Sequence, residues 1–312
     1  MMGSPALSPA ALASTSHLGA GARFRVDSRT FRENFDRQPF GFSHDLSALE
    51  MFQFDELTRL AERYADHLQD CFVSASAPSA GTQFYAVPHG RFGPHQAMSR
   101  LDTDAIRILL KRPENHDPRF RRLLDELFAE ITALRGGMGS ERLVRLESAV
   151  FITSAAATTP FHFDPETSFF SQIEGEKIYH VYPPTALREA DLEKFYVQGI
   201  VNIGQVDLQG CDPAQERVFT LNPGTGLHQP QNSPHWVETR ASSSISYSFV
   251  FETDAGRARG RARAFNHYLR RLGLMPHLPG ANPSRDAVKA GAMRVIIPIR
   301  NRIRAKLRTA LA

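Results

Sequence analysis

Residues 158–184 read TTPFHFDPETSFFSQIEGEKIYHVYPP. Apolar and polar positions alternate here and are interrupted by proline and glycine, which is typical of short β-strands joined by tight turns. Side chains along a strand point alternately to its two faces, so His162 and Asp164 share one face while Phe161 and Phe163 share the other. A histidine and a carboxylate on one face of an apolar strand are two candidate ligands for a metal ion.

The chain beyond this stretch predicts more short strands, rich in β-branched and aromatic residues and bounded by Gly, Pro or Asn. The predicted strands after Gly139 read LVRLESAVFIT, SFFSQI, KIYHVYP, ERVFTLN, HWVET and SISYSFVFET. We therefore predict a mainly β fold, an all-β barrel or double-sheet roll, with helices supplied by the N-terminal and C-terminal flanks.

The flanks divide the chain into four regions. Residues 1–22 are rich in Ala, Ser and Gly and are predicted to be a disordered leader rather than a secretory signal. Residues 23–140 are predicted to supply helices and strands that pack on the barrel, and residues 141–254 the barrel itself. Residues 255–312 are predicted to be a basic helical extension, with helical segments near 256–272 and from residue 293 onward.

Apolar spacing in the N-terminal region predicts two helices. One covers residues 54–72, and the other covers 118–135 with Asp117 as its N-cap. Between them, AIRILL (105–110) predicts a buried strand and TQFYAV (82–87) a short strand.

Composition limits the class of protein. With 312 residues and 42% hydrophobic content, the chain can bury a sizeable core. No apolar run approaches the roughly 20 residues that a membrane-spanning helix needs. The two cysteines, Cys71 and Cys211, are far apart, which argues against a disulfide framework and favours a reducing compartment.

A third metal ligand is expected from a strand that neighbours the first. The stretch LNPGTGLHQPQNSPHWVET offers His228 and His235. We favour His235, because it begins the HWVET strand and can face inward there, although His228 stays an alternative. Two histidines and one carboxylate form the facial triad of non-haem Fe(II) sites.

Lys177 begins a strand that otherwise contains Ile, Tyr and Val. A buried ammonium group is costly unless it is paired. A bound carboxylate would pair it, and an ion pair with Glu174 or Glu176 is the alternative. The hydroxyl of Thr159 can bond the same carboxylate, although a role in a turn is equally expected.

Together these motifs resemble the Jumonji-C-type, cupin-fold Fe(II)/2-oxoglutarate-dependent oxygenases, in particular the branch that contains the asparaginyl hydroxylase of hypoxia-inducible factor. The resemblance rests on residues 158–184 and on PGTGLHQPQNSPHWV (223–237), and it covers roughly residues 145–252. It implies a double-stranded β-helix, the cupin or jelly-roll barrel. It also implies Fe(II) bound by His162, Asp164 and His235.

The resemblance further implies the co-substrate contacts. In that branch, the residues at the positions of Thr159 and Lys177 bind 2-oxoglutarate, and Tyr179 shares a face with Lys177 and is expected to line the pocket. The family often has an asparagine on the last core strand, where this chain offers Ser246 or Ser248, and we assign the contact to Ser248.

The activity implied is a dioxygenase that uses O2 and 2-oxoglutarate, releases succinate and CO2, and hydroxylates a substrate C–H bond. A cell-envelope glycolipid sugar and a protein side chain are both candidate substrates. A regulatory or ligand-binding cupin without catalysis is the alternative function. A non-redox metal cupin, such as a sugar isomerase, would have no need of Lys177 at this spacing.

Charge is unevenly distributed along the chain. Residues 255–312 contain 14 Arg and Lys against one acid, Asp286, a net charge of +13 that leaves −9 for the rest of a +4 chain. The final segment places Ile299, Ile303, Leu307 and Leu311 four residues apart among basic residues. Such a helix can lie on an anionic membrane or pack on the acidic body, and both interpretations stay open.

Basic residues without interleaved aromatic residues argue against nucleic-acid binding. We expect a cytoplasmic protein, with peripheral attachment to the inner face of the membrane if the final helix binds lipid.

Overall fold

The computed structural model describes residues 23–199, 203–205, 207 and 210–311. The predicted disordered leader, residues 1–22, lies outside the described residues. Among those described, thirteen strands form two antiparallel sheets. The larger sheet has the spatial order β1 (Phe24–Arg25), β2 (Phe40–His44), β11 (Thr225–Gln229), β7 (Thr167–Glu174), β13 (Ser244–Thr253), β5 (Leu143–Thr153), β4 (Ile106–Lys111) and β3 (Cys71–Ala75).

The smaller sheet faces the larger one. Its order is β10 (Arg217–Leu221), β8 (Lys177–Val181), β12 (Pro234–Thr239), β6 (Thr158–Phe163) and β9 (Gly204–Gln205). Consecutive strands alternate between the sheets from β5 to β8 and again from β10 to β13, which is the topology of a jelly roll. The predicted mainly β, double-stranded β-helix fold with flanking helices is confirmed.

Seven helices are described around the barrel. They are α1 (Ser28–Asn34), α2 (Phe54–Glu62), α3 (Pro94–Met98), α4 (Pro118–Leu134), α5 (Glu189–Tyr196), α6 (Asp254–Arg271) and α7 (Pro283–Leu311). The predicted helix at 118–135 is confirmed as α4, and the side chain of Asp117 accepts a hydrogen bond from the backbone N–H of Arg119 as its N-cap.

The main hydrophobic core lies between the outer face of the larger sheet and the N-terminal helices. β4 shows why a sheet forms there: Ile106, Ile108 and Leu110 are buried in this core, while Arg107 and Leu109 point to the other face. Strands β1 to β4 from the region 23–140 and strands of the region 141–254 share this sheet. The N-terminal region therefore extends the barrel wall itself.

Two local predictions are wrong. The helix predicted at 54–72 ends at Glu62, because Cys71 and Phe72 pair with Leu110 and Leu109 of β4, and this pairing overrides the helical pattern. TQFYAV forms a single 3-10 turn at Phe84–Ala86 instead of a strand.

Helix α7 begins ten residues before the position at which the sequence predicted it. It packs along α6, with Ala290 and Met293 buried. The predicted stripe residues Ile299 and Ile303 are 50% and 53% exposed, so they do not pack on the body. The side chains of Leu307 and Leu311 lie outside the described part of the chain.

The turn between β7 and β8 requires glycine. Gly175 has φ +72°, and a Cβ atom added to it would lie 2.3 Å from the carbonyl oxygen of Ser243. The turn also receives a hydrogen bond from Gln172 Nε2 to the carbonyl oxygen of Gly175, at 3.1 Å. Since Lys177 follows two residues later, this turn sets the position at which β8 starts.

We expect Gly175→Ala to lower the free energy of unfolding by about 1–3 kcal/mol, because the new methyl group meets both a strained φ and a backbone oxygen. Gly136→Ala is the matched control, since Gly136 has φ +77° but open space around the added Cβ. Urea unfolding should show a smaller loss for Gly136→Ala, of about 1 kcal/mol, which comes from the strained φ alone. Equal losses in the two variants would contradict this assignment.

Candidate metal centre and adjoining pocket

Two neighbouring strands of the smaller sheet carry the candidate ligands. β6 and β12 are antiparallel, and His162 lies directly opposite His235 in their register. Directly opposed residues project to the same face, so both imidazoles point into the barrel. Asp164 follows directly after β6, which ends at Phe163.

The three side chains converge. One ligand atom from each of His162, Asp164 and His235 lies within 4.8 Å of the others. The Nε2 atoms of His162 and His235 are 3.9 and 3.8 Å from the carboxylate oxygens of Asp164. These separations are too long for hydrogen bonds, and they suit atoms that share a metal ion.

The Nδ1 atoms of both histidines are already engaged. Nδ1 of His162 donates to the carbonyl oxygen of Pro160 at 2.7 Å, and Nδ1 of His235 donates to that of Ser233 at 3.1 Å. Such bonds fix the ring and leave Nε2 free to bind a metal. Burial lowers the pKa of both imidazoles, which favours their neutral form, in which Nε2 can bind a metal ion. Burial raises the pKa of Asp164.

This donor set, two neutral imidazoles and one carboxylate, fits Fe(II) with coordination positions left open. The alternative ligand, His228, lies elsewhere. It belongs to β11 in the larger sheet, its ring packs on Phe35 and Phe169, and its Nε2 accepts a hydrogen bond from the backbone N–H of Asp36 at 3.0 Å. The structure therefore favours His235 over His228 as the third ligand, although the assignment of site residues stays a prediction.

A cavity of about 380 Å³ adjoins the triad between the two sheets. Its wall includes all four residues predicted to bind the co-substrate, which are Thr159, Lys177, Tyr179 and Ser248. Of the two serines on β13, Ser246 donates instead to Gln172 Oε1 at 2.8 Å, and it is absent from the cavity wall.

Lys177 is buried and has no acidic partner among the described residues. Its Nζ lies 5.5 Å from the ring centre of Phe170. The alternative ion pair with Glu176 is not formed, because that carboxylate pairs with Arg240 at 3.6 Å. Burial, together with the nearby charge of Arg107, lowers the pKa of Lys177 to about 7. A carboxylate bound beside this amine would restore its charge.

Tyr179 connects the cavity to the metal ligands. Its hydroxyl donates to Gln229 Oε1 at 2.6 Å, and its ring stacks on His235 with centroids 5.3 Å apart. Burial raises the pKa of this phenol well above its usual value, so the hydroxyl stays protonated. It can therefore hold the His235 ring in place, while its single O–H donor is used on Gln229.

Several residues of the site were missed from the sequence. Phe84, from the turn that replaces the predicted strand, lies 4.5 Å from the His162 ring and covers one side of the triad. Arg145 bonds Glu166 at 2.5 Å and Glu147 at 2.7 Å beside the cavity. Arg107, which has no acidic partner among the described residues, also lines the cavity. Glu166 could have been noticed two residues after Asp164, but its arginine partner lies on another strand.

No family model matches the chain. Ribosomal oxygenase 2 from Bos taurus is 28% identical over 215 residues, which cover 67% of this chain and 41% of that protein. HSPB1-associated protein 1 from Mus musculus is 29% identical over 118 residues, covering 35% of this chain and 24% of that protein. The chain thus spans less than half the length of these curated relatives.

Solved structures of Escherichia coli YcfD are also similar. One is 16% identical with a TM-score of 0.49, and the match covers 87% of this chain and 68% of that chain. A second, described as the ribosomal oxygenase YcfD in complex with cobalt and 2-oxoglutarate, is 18% identical with a TM-score of 0.48 and covers 87% and 66%.

We expect His235→Ala to weaken Mn(II) binding by roughly 100-fold or more. Removing a residue that merely supports a metal ligand weakens binding by about 10- to 100-fold, and removing the ligand itself should weaken it more. Isothermal titration calorimetry measures this affinity. His180→Ala is the control. His180 lies on β8, and its Nδ1 is 3.0 Å from Glu216 Oε1, outside the triad. Unchanged Mn(II) affinity in His235→Ala would remove His235 from the metal site.

Proposed function

We propose that this Jumonji-C-type, cupin-fold protein is an Fe(II)/2-oxoglutarate-dependent dioxygenase that hydroxylates a substrate C–H bond. One observation carries the proposal: the triad of His162, Asp164 and His235 shares one cavity with the buried Lys177, which has no acidic partner among the described residues. A metal-binding end and a carboxylate-binding end in one cavity suit a 2-oxo diacid.

The bound Fe(II) would supply the oxidative chemistry, in which O2 and 2-oxoglutarate are converted to succinate and CO2 as the substrate is hydroxylated. The chain's own residues orient the reactants. Lys177 binds the distal carboxylate, and Thr159 and Ser248 offer hydroxyl donors beside it. The covering ring of Phe84 helps to exclude water from the triad.

Two acceptors are supported by different observations. The name of the relative from Bos taurus, ribosomal oxygenase 2, supports a protein side chain of the translation machinery. The exposed apolar stripe of α7 supports a cell-envelope glycolipid sugar. Both would approach from the side of the cavity that is lined by the exposed Lys111 and by Phe84.

The purified protein with Fe(II), ascorbate, 2-oxoglutarate and O2 is expected to release succinate, measured by mass spectrometry. Lys177→Met should raise the KM for 2-oxoglutarate by roughly 10- to 100-fold, because it removes a charged hydrogen bond. Lys194→Met, on the exposed face of α5, should behave as the wild type.

Ribosomal proteins and lipopolysaccharide, added separately, would identify the acceptor by a mass increase of one oxygen atom. Binding of 2-oxoglutarate without any succinate release would instead support a regulatory or ligand-binding cupin. Absence of both binding and turnover would reject the oxygenase.

We also propose that α7 attaches the protein peripherally to an anionic membrane, which on the cytoplasmic side would be the inner face. Val288, Val295, Ile299 and Ile303 recur at helical spacing and are all at least half exposed. Arg294, Arg302 and Lys306 are exposed beside them, and α7 contains no acid after Asp286. An apolar stripe with a cationic border suits the interface of anionic lipids.

The described helices include none that is long and apolar enough to cross a bilayer. The proposal therefore concerns a helix lying on the surface. A second copy of the chain is the competing occupant of this stripe, but two such helices would bring their positive charges together.

Sedimentation with vesicles should show binding to 3:1 phosphatidylcholine:phosphatidylglycerol and little binding to phosphatidylcholine alone, with loss at high salt. Ile299→Asp with Ile303→Asp should weaken binding by roughly tenfold or more, since both side chains leave the lipid. Val218→Asp is the control, because Val218 is 53% exposed on β10. A concentration-dependent dimer that the double variant abolishes, without vesicle binding, would assign the stripe to a second copy.

A further inference from the structure

The cavity contains a second cation that the proposed function has not yet used. Arg107 lies on β4 of the larger sheet, directly opposite Thr153 of β5. Alternation along β4 turns Arg107 away from the hydrophobic core and toward the cavity.

The register of the strands brings Arg107 close to Lys177. Thr239 of β12 lies directly opposite Lys177 of β8. Thr239 Oγ1 is 3.0 Å from Thr153 Oγ1, and this hydrogen bond joins the two sheets. Arg107 and Lys177 therefore approach each other from opposite walls, on either side of the same threonine pair. The charge of Arg107 is correspondingly felt at both Lys177 and His162, where it lowers the pKa.

Arg107 lacks an acidic partner among the described residues, unlike two other arginines of the cavity wall. Arg112 pairs with Asp70, and Arg145 pairs with Glu147 and Glu166. Burial lowers the pKa of Arg107 to about 10, so its guanidinium is still charged at neutral pH. Two adjacent basic side chains in one cavity, neither paired with an acid, cannot both carry their charge at low cost unless an anion binds between them.

We propose that Arg107 is a specificity-determining residue that binds, together with Lys177, the distal carboxylate of the co-substrate and so restricts the pocket to diacids. This inference rests on the proposed function. The geometry suits one carboxylate, because its two oxygens can accept the planar fork of an arginine from one wall and the ammonium of a lysine from the other.

An anionic group of the hydroxylated substrate is a less suitable partner for Arg107. The exposed Lys111 lies on the same face of β4, four residues or about 13 Å further along the strand. A substrate entering past Lys111 would meet the triad region, whereas Arg107 lies beside the Thr153–Thr239 pair with Lys177.

The test measures binding to the Mn(II)-loaded protein by isothermal titration calorimetry without O2. The probes are 2-oxoglutarate and 2-oxopentanoate, which carries a methyl group in place of the distal carboxylate. Arg107→Met should weaken 2-oxoglutarate binding by roughly 10- to 100-fold. It should change 2-oxopentanoate binding by less than about threefold.

Arg107→Lys should lose less affinity for 2-oxoglutarate than Arg107→Met, because lysine keeps the positive charge and loses only the bidentate hydrogen bonding of the guanidinium. The double variant Arg107→Met with Lys177→Met should lose less than the product of the two single losses, since both side chains serve one carboxylate. Lys194→Met, on the exposed face of α5, is the control and should bind both probes as the wild type does. Mn(II) affinity and the midpoint of thermal unfolding are measured for every variant as controls. If Arg107→Met does not fold, Arg107→Lys and Arg107→Gln take its place.

The outcomes are distinguishable. If the wild type binds 2-oxoglutarate and Arg107→Met binds it equally well, the inference is overturned and the oxygenase proposal stands. Equal weakening of both probes would also overturn it, since Arg107 would then act on the pocket's structure. If the wild type binds neither probe, the proposed function itself fails.

Discussion

Charge taken out of water must be balanced, and the interior of this barrel depends on that constraint. The carboxylate of Asp164 is partly buried beside two neutral imidazoles, and the amine of Lys177 is fully buried between aromatic rings. In a cavity of low polarity each ion alone is unfavourable. A divalent cation at one end and a carboxylate at the other would balance both. The charged groups of the site are thus placed to be neutralised by bound ligands rather than by ion pairs with one another.

Much of this arrangement could be predicted from the sequence because it is local. A spacing of two along a strand placed His162 and Asp164 on one face, and a cation at the start of an apolar strand identified Lys177. Arg107 in AIRILL is likewise a cation in an apolar strand, but the sequence predicts only a buried strand there, whereas one face of β4 lines the cavity.

Other features depend on pairings that are distant in sequence. His228 and His235 are seven residues apart and equally close to turns, and only the assignment of β11 and β12 to different sheets separates them. The shortened helix α2 has the same origin, since β3 exists because β4 is available beside it. Phe84 reaches the triad through a loop whose hydrogen bond to Gln205 no local pattern predicts. In the segment after α2 and at Phe84, contacts with residues far along the chain overrode the local propensity.

The central position of β12 has a consequence for the size of the co-substrate. This strand pairs with β6 through His235 and with β8 through Thr239, the neighbour of Lys177. Four residues of extended backbone, about 13 Å, separate the two pairings. The length of a single strand therefore sets the distance between the metal ligand His235 and the strand position beside Lys177. With 2-oxoglutarate bound as proposed, a diacid one methylene shorter or longer would engage one end and strain the other, and the rise of the β-strand would set the preferred chain length.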